Sequence, residues 1–168
     1  IKYGGEPIMW KTGHSLIKDK MKQEKAIFAG EMSGHIFFAD DYYGYDDALY
    51  VGLRLLQILS NTSLSLSELT KEIPKYHSTP EMRINCKDDN EKNIITEKAI
   101  EYFNGNYNCI TIDGVRIKFK NGWGLVRSSN TQPVIVCRFE ANNETDLDKM
   151  KNLVLSKLSE FGELSYDE

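Results

Sequence analysis

Two styles of hydrophobic patterning divide the chain. Over residues 7–72 short apolar runs alternate with helix-spaced stretches, the signature of layered strands and helices. Residues 7–10 read as a strand. Residues 15–25 read as a helix whose few apolar positions (Leu16, Ile17, Met21) sit among lysines, so it belongs on a solvated surface. Residues 26–30 and 35–38 read as short strands meeting at Glu31-Met32-Ser33-Gly34. From 46 to 59 apolar residues run nearly all round the helix (Leu49, Val51, Leu53, Leu55, Leu56, Ile58, Leu59), which predicts burial against a sheet, with Asp46 and Asp47 at its positive end. A weaker helix starts at Ser65 or Ser67 and stops before Pro74.

From residue 81 onward the spacing is more regular. Asp113-Gly114 and Asn121-Gly122 are type I′ hairpin signals that join strands 109–112, 115–120 and 123–128 into a meander. Val115, Ile117 and Phe119 alternate with Arg116, Lys118 and Lys120, so one face is buried and the other wet. Residues 134–140 add a fourth strand. Helices at 90–103 and 144–161 cover the apolar face; in the second, Leu147, Met150, Val154, Leu158 and Phe161 recur every three or four residues, with Asn143 as N-cap and Gly162 as stop. The expected architecture is α/β (a mixed sheet with helices) over 1–75, a hinge linker at 76–80, and over 81–168 an α+β domain, a four-stranded largely antiparallel sheet with two helices on one face.

Composition narrows the function classes. A net charge of −4 and a pI near 5.5 lack the clustered cations of a nucleic-acid binder. No signal peptide or spanning segment is visible, and the three scattered cysteines (86, 109, 137) suit neither a disulfide framework nor a zinc site, so a reducing cytoplasm is expected, away from membranes. Asn61-Thr62-Ser63 and Asn143-Glu144-Thr145 are then chance glycosylation matches. The chain begins at Ile1 and runs straight into Gly4-Gly5-Glu6-Pro7, as a piece of a longer protein would.

Three stretches carry candidate chemistry. Arg127-Ser128-Ser129-Asn130-Thr131-Gln132-Pro133 lies between two apolar strands: Arg127 offers a bidentate cation, and Ser129, Asn130, Thr131 and loop N–H groups offer neutral donors for a phosphate, although the same residues also simply form turns. Gly30-Glu31-Met32-Ser33-Gly34-His35 groups a carboxylate, a hydroxyl and an imidazole suited to a polyol, or forms a plain tight turn; a Glu31/His35 metal pair would need a helix that two glycines disfavour. Lys11-Thr12-Gly13-His14-Ser15 at a helix start could attract an anion or be ordinary polar surface. The acidic, tyrosine-rich run 40–47 lacks the ligand spacing of a calcium loop, and His77 falls in the linker.

Taken in order, these motifs resemble the phosphohexomutase family (phosphomannomutase/phosphoglucomutase). Trp10-Lys11-Thr12-Gly13-His14-Ser15 resembles the third-domain segment before the sugar loop, Gly30-Glu31-Met32-Ser33-Gly34-His35 the sugar loop, and Gly122-Trp123-Gly124-Leu125-Val126-Arg127 with Ser128-Ser129-Asn130-Thr131-Gln132-Pro133 the fourth domain's phosphate loop. The resemblance implies part of a third domain followed by the fourth. It also implies a reaction that interconverts hexose 1- and 6-phosphates through a hexose 1,6-bisphosphate. By the same resemblance Glu31 and Ser33 bind sugar hydroxyls, Lys11, His14 and His35 line the site, and Arg127, Ser129, Asn130 and Thr131 hold the phosphate that is not transferred. The Glu-Met-Ser-Gly-His loop looks like those acting on mannose and glucose phosphates. The family's Ser-His-Asn-Pro phosphoserine loop and Asp-Gly-Asp-Gly-Asp magnesium loop are absent from these residues. Nucleophile and Mg2+ would therefore come from N-terminal domains of a parent chain. The other reading is a stand-alone, non-catalytic sugar-phosphate-binding module.

Overall fold

The computed structural model describes residues 3–166, which form two compact units that divide at Pro74–Lys75. The first unit opens with α1 (His14–Glu24), which puts Ile17 and Met21 one turn apart against Phe37. Lys25 (φ 54°) ends it in the left-handed region, and the following Ala26 N–H reaches Met21 O at 2.9 Å. Strands β1 (Phe28–Gly30) and β2 (Ile36–Phe38) pair antiparallel, with Ala29 opposite Phe37. Helix α2 (Ala48–Ser60) is capped by Asp47, whose carboxylate accepts from Tyr50 N–H at 3.0 Å. Ser65 and Glu68 form a capping box on α3 (Leu66–Leu69).

Two expectations for this unit need correction. Residues 7–10 join neither sheet, and Ile8, Met9 and Trp10 stay 52%, 48% and 38% exposed; a strand needs a ladder beside it, and apolar character alone supplies none. Helix α2 forms but buries nothing: Leu49, Leu53 and Leu56, on one stripe, are 83%, 65% and 61% exposed. Two strands of three residues are too small a layer to cover thirteen helical residues.

The second unit is a seven-stranded antiparallel sheet. Its strands are β3 (His77–Ser78), β4 (Met82–Asn85), β5 (Asn108–Ile110), β6 (Val115–Phe119), β7 (Gly122–Ser128), β8 (Val134–Ala141) and β9 (Ser165–Tyr166), in the order β5-β6-β7-β8-β4-β9 with β3 also on β8. Helices α4 (Asp89–Asn106) and α5 (Glu144–Ser159) cover one face, where Phe103, Ile117, Val126, Ile135, Phe139, Val154 and Leu158 have no exposure at all. The meander, the fourth strand and both helices lie where the periodicity put them; β3, β4 and β9 are additional. His77 and Ser78, read as linker, oppose Ala141 and Glu140. Between them and β4 the register slips by one residue, a bulge at Thr79-Pro80-Glu81, where Thr79 Oγ1 accepts the Phe139 N–H at 3.1 Å.

The turns differ in detail from the I′ reading. Lys120 and Asn121 are the two loop residues between paired Phe119 and Gly122, and neither has positive φ. Gly122 is instead a strand residue packed so closely that a Cβ would lie 2.1 Å from Glu140 O. At the other turn only Gly114 (φ 69°) is left-handed, in a four-residue loop between β5 and β6. Helix α5 ends at Ser159 with no left-handed cap; Gly162 lies under Ile95, whose Cδ1 would be 2.5 Å from a Cβ there.

Candidate functional site

In the first unit, residues 31–35 form a hairpin loop, with three residues, 32–34, inside the Glu31–His35 hydrogen bond. Gly34 N–H donates to Glu31 O at 3.0 Å, Glu31 N–H to His35 O at 2.8 Å, and Gly34 (φ 94°) takes the conformation that a side chain resists. This geometry is not the helix that the metal pair would need. It leaves Met32, Ser33 and His35 exposed and Glu31 half-buried.

Glu31 is half-buried because it is tethered: Gly13 N–H donates to Glu31 Oε1 at 2.8 Å. That bond draws the Lys11–His14 stretch to the hairpin, so two motifs eighteen residues apart meet at one place. His35 Nδ1 lies 2.6 Å from Asp46 Oδ2. The hydrogen bond to Asp46, and then its charge, raise the His35 pKa above 6.5, while the same bond lowers that of Asp46, with His14 contributing. Asp46 was read from sequence only as a helix-end charge; its ligand-like role toward His35 is new. The imidazole ring is thereby oriented through its Nδ1. The neighbouring acids are also engaged: Asp40 binds Arg54 at 2.6 Å, and Asp47 accepts from Tyr42 Oη at 2.6 Å.

In the second unit the 127–133 loop joins β7 to β8. Ser129 N–H donates to Val134 O at 2.9 Å, Val134 N–H to Gln132 O at 2.8 Å, and Cys86 N–H to Pro133 O at 2.8 Å. The Arg127 guanidinium is half-buried and donates to Ser128 O at 3.2 Å, Ser129 is buried, and Asn130 and Thr131 are exposed. Ser129 Oγ accepts weakly from Thr131 N–H at 3.4 Å. Sequence reasoning missed three supports. Lys92 on α4 donates to Ser129 O and Gln132 O, Thr96 accepts from Ser128 Oγ at 2.9 Å, and Arg83 on β4 bonds Gln132 Oε1. Lys92 had left a signal: it shares a stripe with Ile95, Ala99 and Phe103, the buried face of α4.

Among the described residues no group of three or more His, Cys, Asp or Glu could hold a metal ion, and no helix is long and apolar enough to cross a membrane. All three cysteines are free thiols, and burial pushes that of Cys137 up to about 12.

Comparison with known proteins gives a consistent picture. Residues 1–76 match the family model for the phosphoglucomutase/phosphomannomutase alpha/beta/alpha domain III, and residues 81–156 that for the C-terminal domain. A phosphomannomutase/phosphoglucomutase of Pseudomonas putida is 48% identical over 94% of this chain and 34% of that protein. A phosphoglucomutase of Neisseria meningitidis is 48% identical over 90% of the chain and 33% of that protein, and a phosphomannomutase of Methanocaldococcus jannaschii is 35% identical over 91% and 34%. The crystal structure of a phosphoglucomutase/phosphomannomutase family protein from Burkholderia thailandensis superposes with a TM-score of 0.82 at 42% identity, covering 98% of this chain and 35% of that one. The chain spans about a third of the length of the curated relatives it matches. Two adjoining domain matches, close relatives and a shared fold agree: the chain belongs to the phosphoglucomutase/phosphomannomutase family, and corresponds to its third and C-terminal domains.

Proposed function

We propose that this chain is the substrate-gripping part of a phosphohexomutase that acts on mannose and glucose phosphates in the cytoplasm. In this reading the parent's phosphoserine donates its phosphoryl group to a hexose phosphate, and the resulting 1,6-bisphosphate returns its other phosphoryl group to the serine. Glu31 and Ser33 take sugar hydroxyls. Lys11, His14 and His35 line the same place, His35 donating at Nε2 when charged and accepting there when neutral. Arg127, Ser129, Asn130 and Thr131 hold the phosphate that is not being transferred. Holding it remotely positions the reacting end, which is where binding energy accelerates phosphoryl transfer.

The observation that carries the reading is the state of the 127–133 loop, whose carbonyls at Ser128, Ser129, Gln132 and Pro133 all accept hydrogen bonds from the protein. A loop whose acceptors are consumed on its inner side presents donors to the outside, as an anion requires. Among the described residues no group of three or more His, Cys, Asp or Glu is gathered to hold a metal ion. We therefore assign both the metal and the nucleophile to the N-terminal domains of the parent chain, whose elements would also cover the exposed stripe of α2.

Glucose 1-phosphate titrated into the 15N-labelled chain tests this. Amide shifts are expected at Ser129–Thr131 and at Glu31–His35, with no mutase turnover by the chain alone. Shifts confined to other residues would displace the site.

A further inference from the structure

Lys92 is a buried cation in the first turn of α4, with its side chain 8% exposed. Its three ammonium protons have three acceptors: Asp89 Oδ1 at 2.6 Å, Ser129 O at 3.0 Å and Gln132 O at 3.1 Å. Two of the three belong to the candidate phosphate loop, thirty-seven and forty residues away in sequence. Asp89 is 74% exposed, so the salt bridge itself is worth little, and it does not account for a lysine placed among Ile95, Ala99 and Phe103.

The loop contacts do account for it. In a trans peptide the carbonyl and the following N–H point in opposite directions. Drawing Ser129 O inward to Lys92 turns the Asn130 N–H outward. The Gln132 carbonyl is followed by Pro133, which has no N–H, so nothing is lost on that side. Carbonyl oxygens facing an anion would repel it; here an ammonium holds two of them on the far side. One turn further along α4, Thr96 accepts from Ser128 Oγ and donates to Lys92 O at 2.8 Å, so this face of the helix backs the loop over consecutive residues.

We infer that Lys92 is a positioning residue for phosphate recognition: it touches no ligand, and it sets the polarity of the loop by binding the Ser129 and Gln132 carbonyls. The inference rests on the reading of 127–133 as the phosphate loop.

Inorganic phosphate titrated into the 168-residue chain and its variants, followed by the Asn130 and Thr131 amide resonances, tests it. Lys92→Met removes the donors while keeping the length, and is expected to weaken binding about tenfold or more. It should also move the Asn130 amide in the ligand-free spectrum. Lys92→Gln, which keeps an N–H donor without charge, is expected to fall between Met and the unsubstituted chain and covers the case in which Lys92→Met does not fold. A folded Lys92→Met or Lys92→Gln chain with lower thermal stability but unchanged phosphate affinity makes the lysine merely structural and overturns the inference alone. Absence of phosphate-induced shifts at Ser129–Thr131 in the unsubstituted chain overturns the phosphate loop, and this inference with it.

Discussion

Helices α2 and α5 have similar lengths and opposite fates. The thirteen residues of α2 are the more hydrophobic by sequence and bury none, whereas the sixteen of α5 are mostly polar and bury Leu147, Met150, Val154 and Leu158. Hydrophobic periodicity states which side of a helix wants cover. Whether cover exists depends on the layer opposite, and that is a property of the sheet. Seven strands supply it in the second unit and two short ones fail to in the first.

Truncating one leucine in each helix is the strongest way to break this contrast. Leu158→Ala removes a side chain with no exposure and is expected to destabilise the second unit by about 2–5 kcal/mol, through lost burial and the cavity left behind. Leu53→Ala, 65% exposed, should change the first unit by no more than about 0.5 kcal/mol. Denaturant melts read through Trp10 for one unit and Trp123 for the other, each in a background with the second tryptophan replaced by Phe, measure both. Equal losses would show that α2 finds cover in solution.

The two candidate loops can be set against each other with a ligand that has no sugar. Inorganic phosphate is expected to shift amides at 129–131 and leave 31–35 unmoved. Arg127→Lys should weaken that binding by about 1.5–3 kcal/mol, one to two decades, because lysine loses the planar two-point contact. Unchanged affinity would take Arg127 out of the site.

Glycines give a smaller version of the same contrast. Gly122→Ala drives a methyl into Glu140 O and Met150 Cε, and about 1–3 kcal/mol of overpacking is expected in the second unit. Gly34→Ala meets nothing within 4 Å and carries only the strain of φ 94°, about 1–2 kcal/mol by thermal denaturation of the first unit.

The gentlest test is a titration. The Asp46 contact favours the imidazolium, so the His35 midpoint is expected above 6.5 by NMR, falling toward 6.5 in Asp46→Asn. The sign follows: the pair's contribution from His35 is complete below pH 6.5 and fades as pH rises through the raised midpoint. Its contribution from Asp46, held below 3.8, fades only as pH falls through that lowered value. Both groups are exposed, so global stability should barely move. An unshifted His35 would remove the pairing.

What could be read in advance follows the same physics. Helix α5 and strands β6 and β7 were legible because the covered face repeats at fixed spacing: Val115 and Ile117 two apart, Met150, Val154 and Leu158 four apart. Strand β4 does alternate, Met82 and Ile84 inward against Arg83 and Asn85, but four residues just after Pro80 are too short a run to mark a strand. For β9, two residues carry no period at all. At the candidate sites, Arg127 and Glu31 stand out in the sequence because their own chemistry suits a ligand. Asp46 and Lys92 were not, since each acts through another residue, and sequence spacing does not reveal which carbonyl or ring a side chain will meet.

The bond from Gly13 N–H to Glu31 makes that carboxylate a shared fixture, one part of it anchoring the chain and the rest facing outward. Removing it altogether therefore confounds two effects, a slackened entry to α1 and a missing acceptor. Glu31→Gln keeps an oxygen for the Gly13 N–H and alters only what faces outward, whereas Glu31→Ala abolishes both. The difference between those two variants isolates the anchoring role, so residue 31 can serve as an internal gauge of how far the backbone scaffold, as distinct from direct contact, tunes the surface around it.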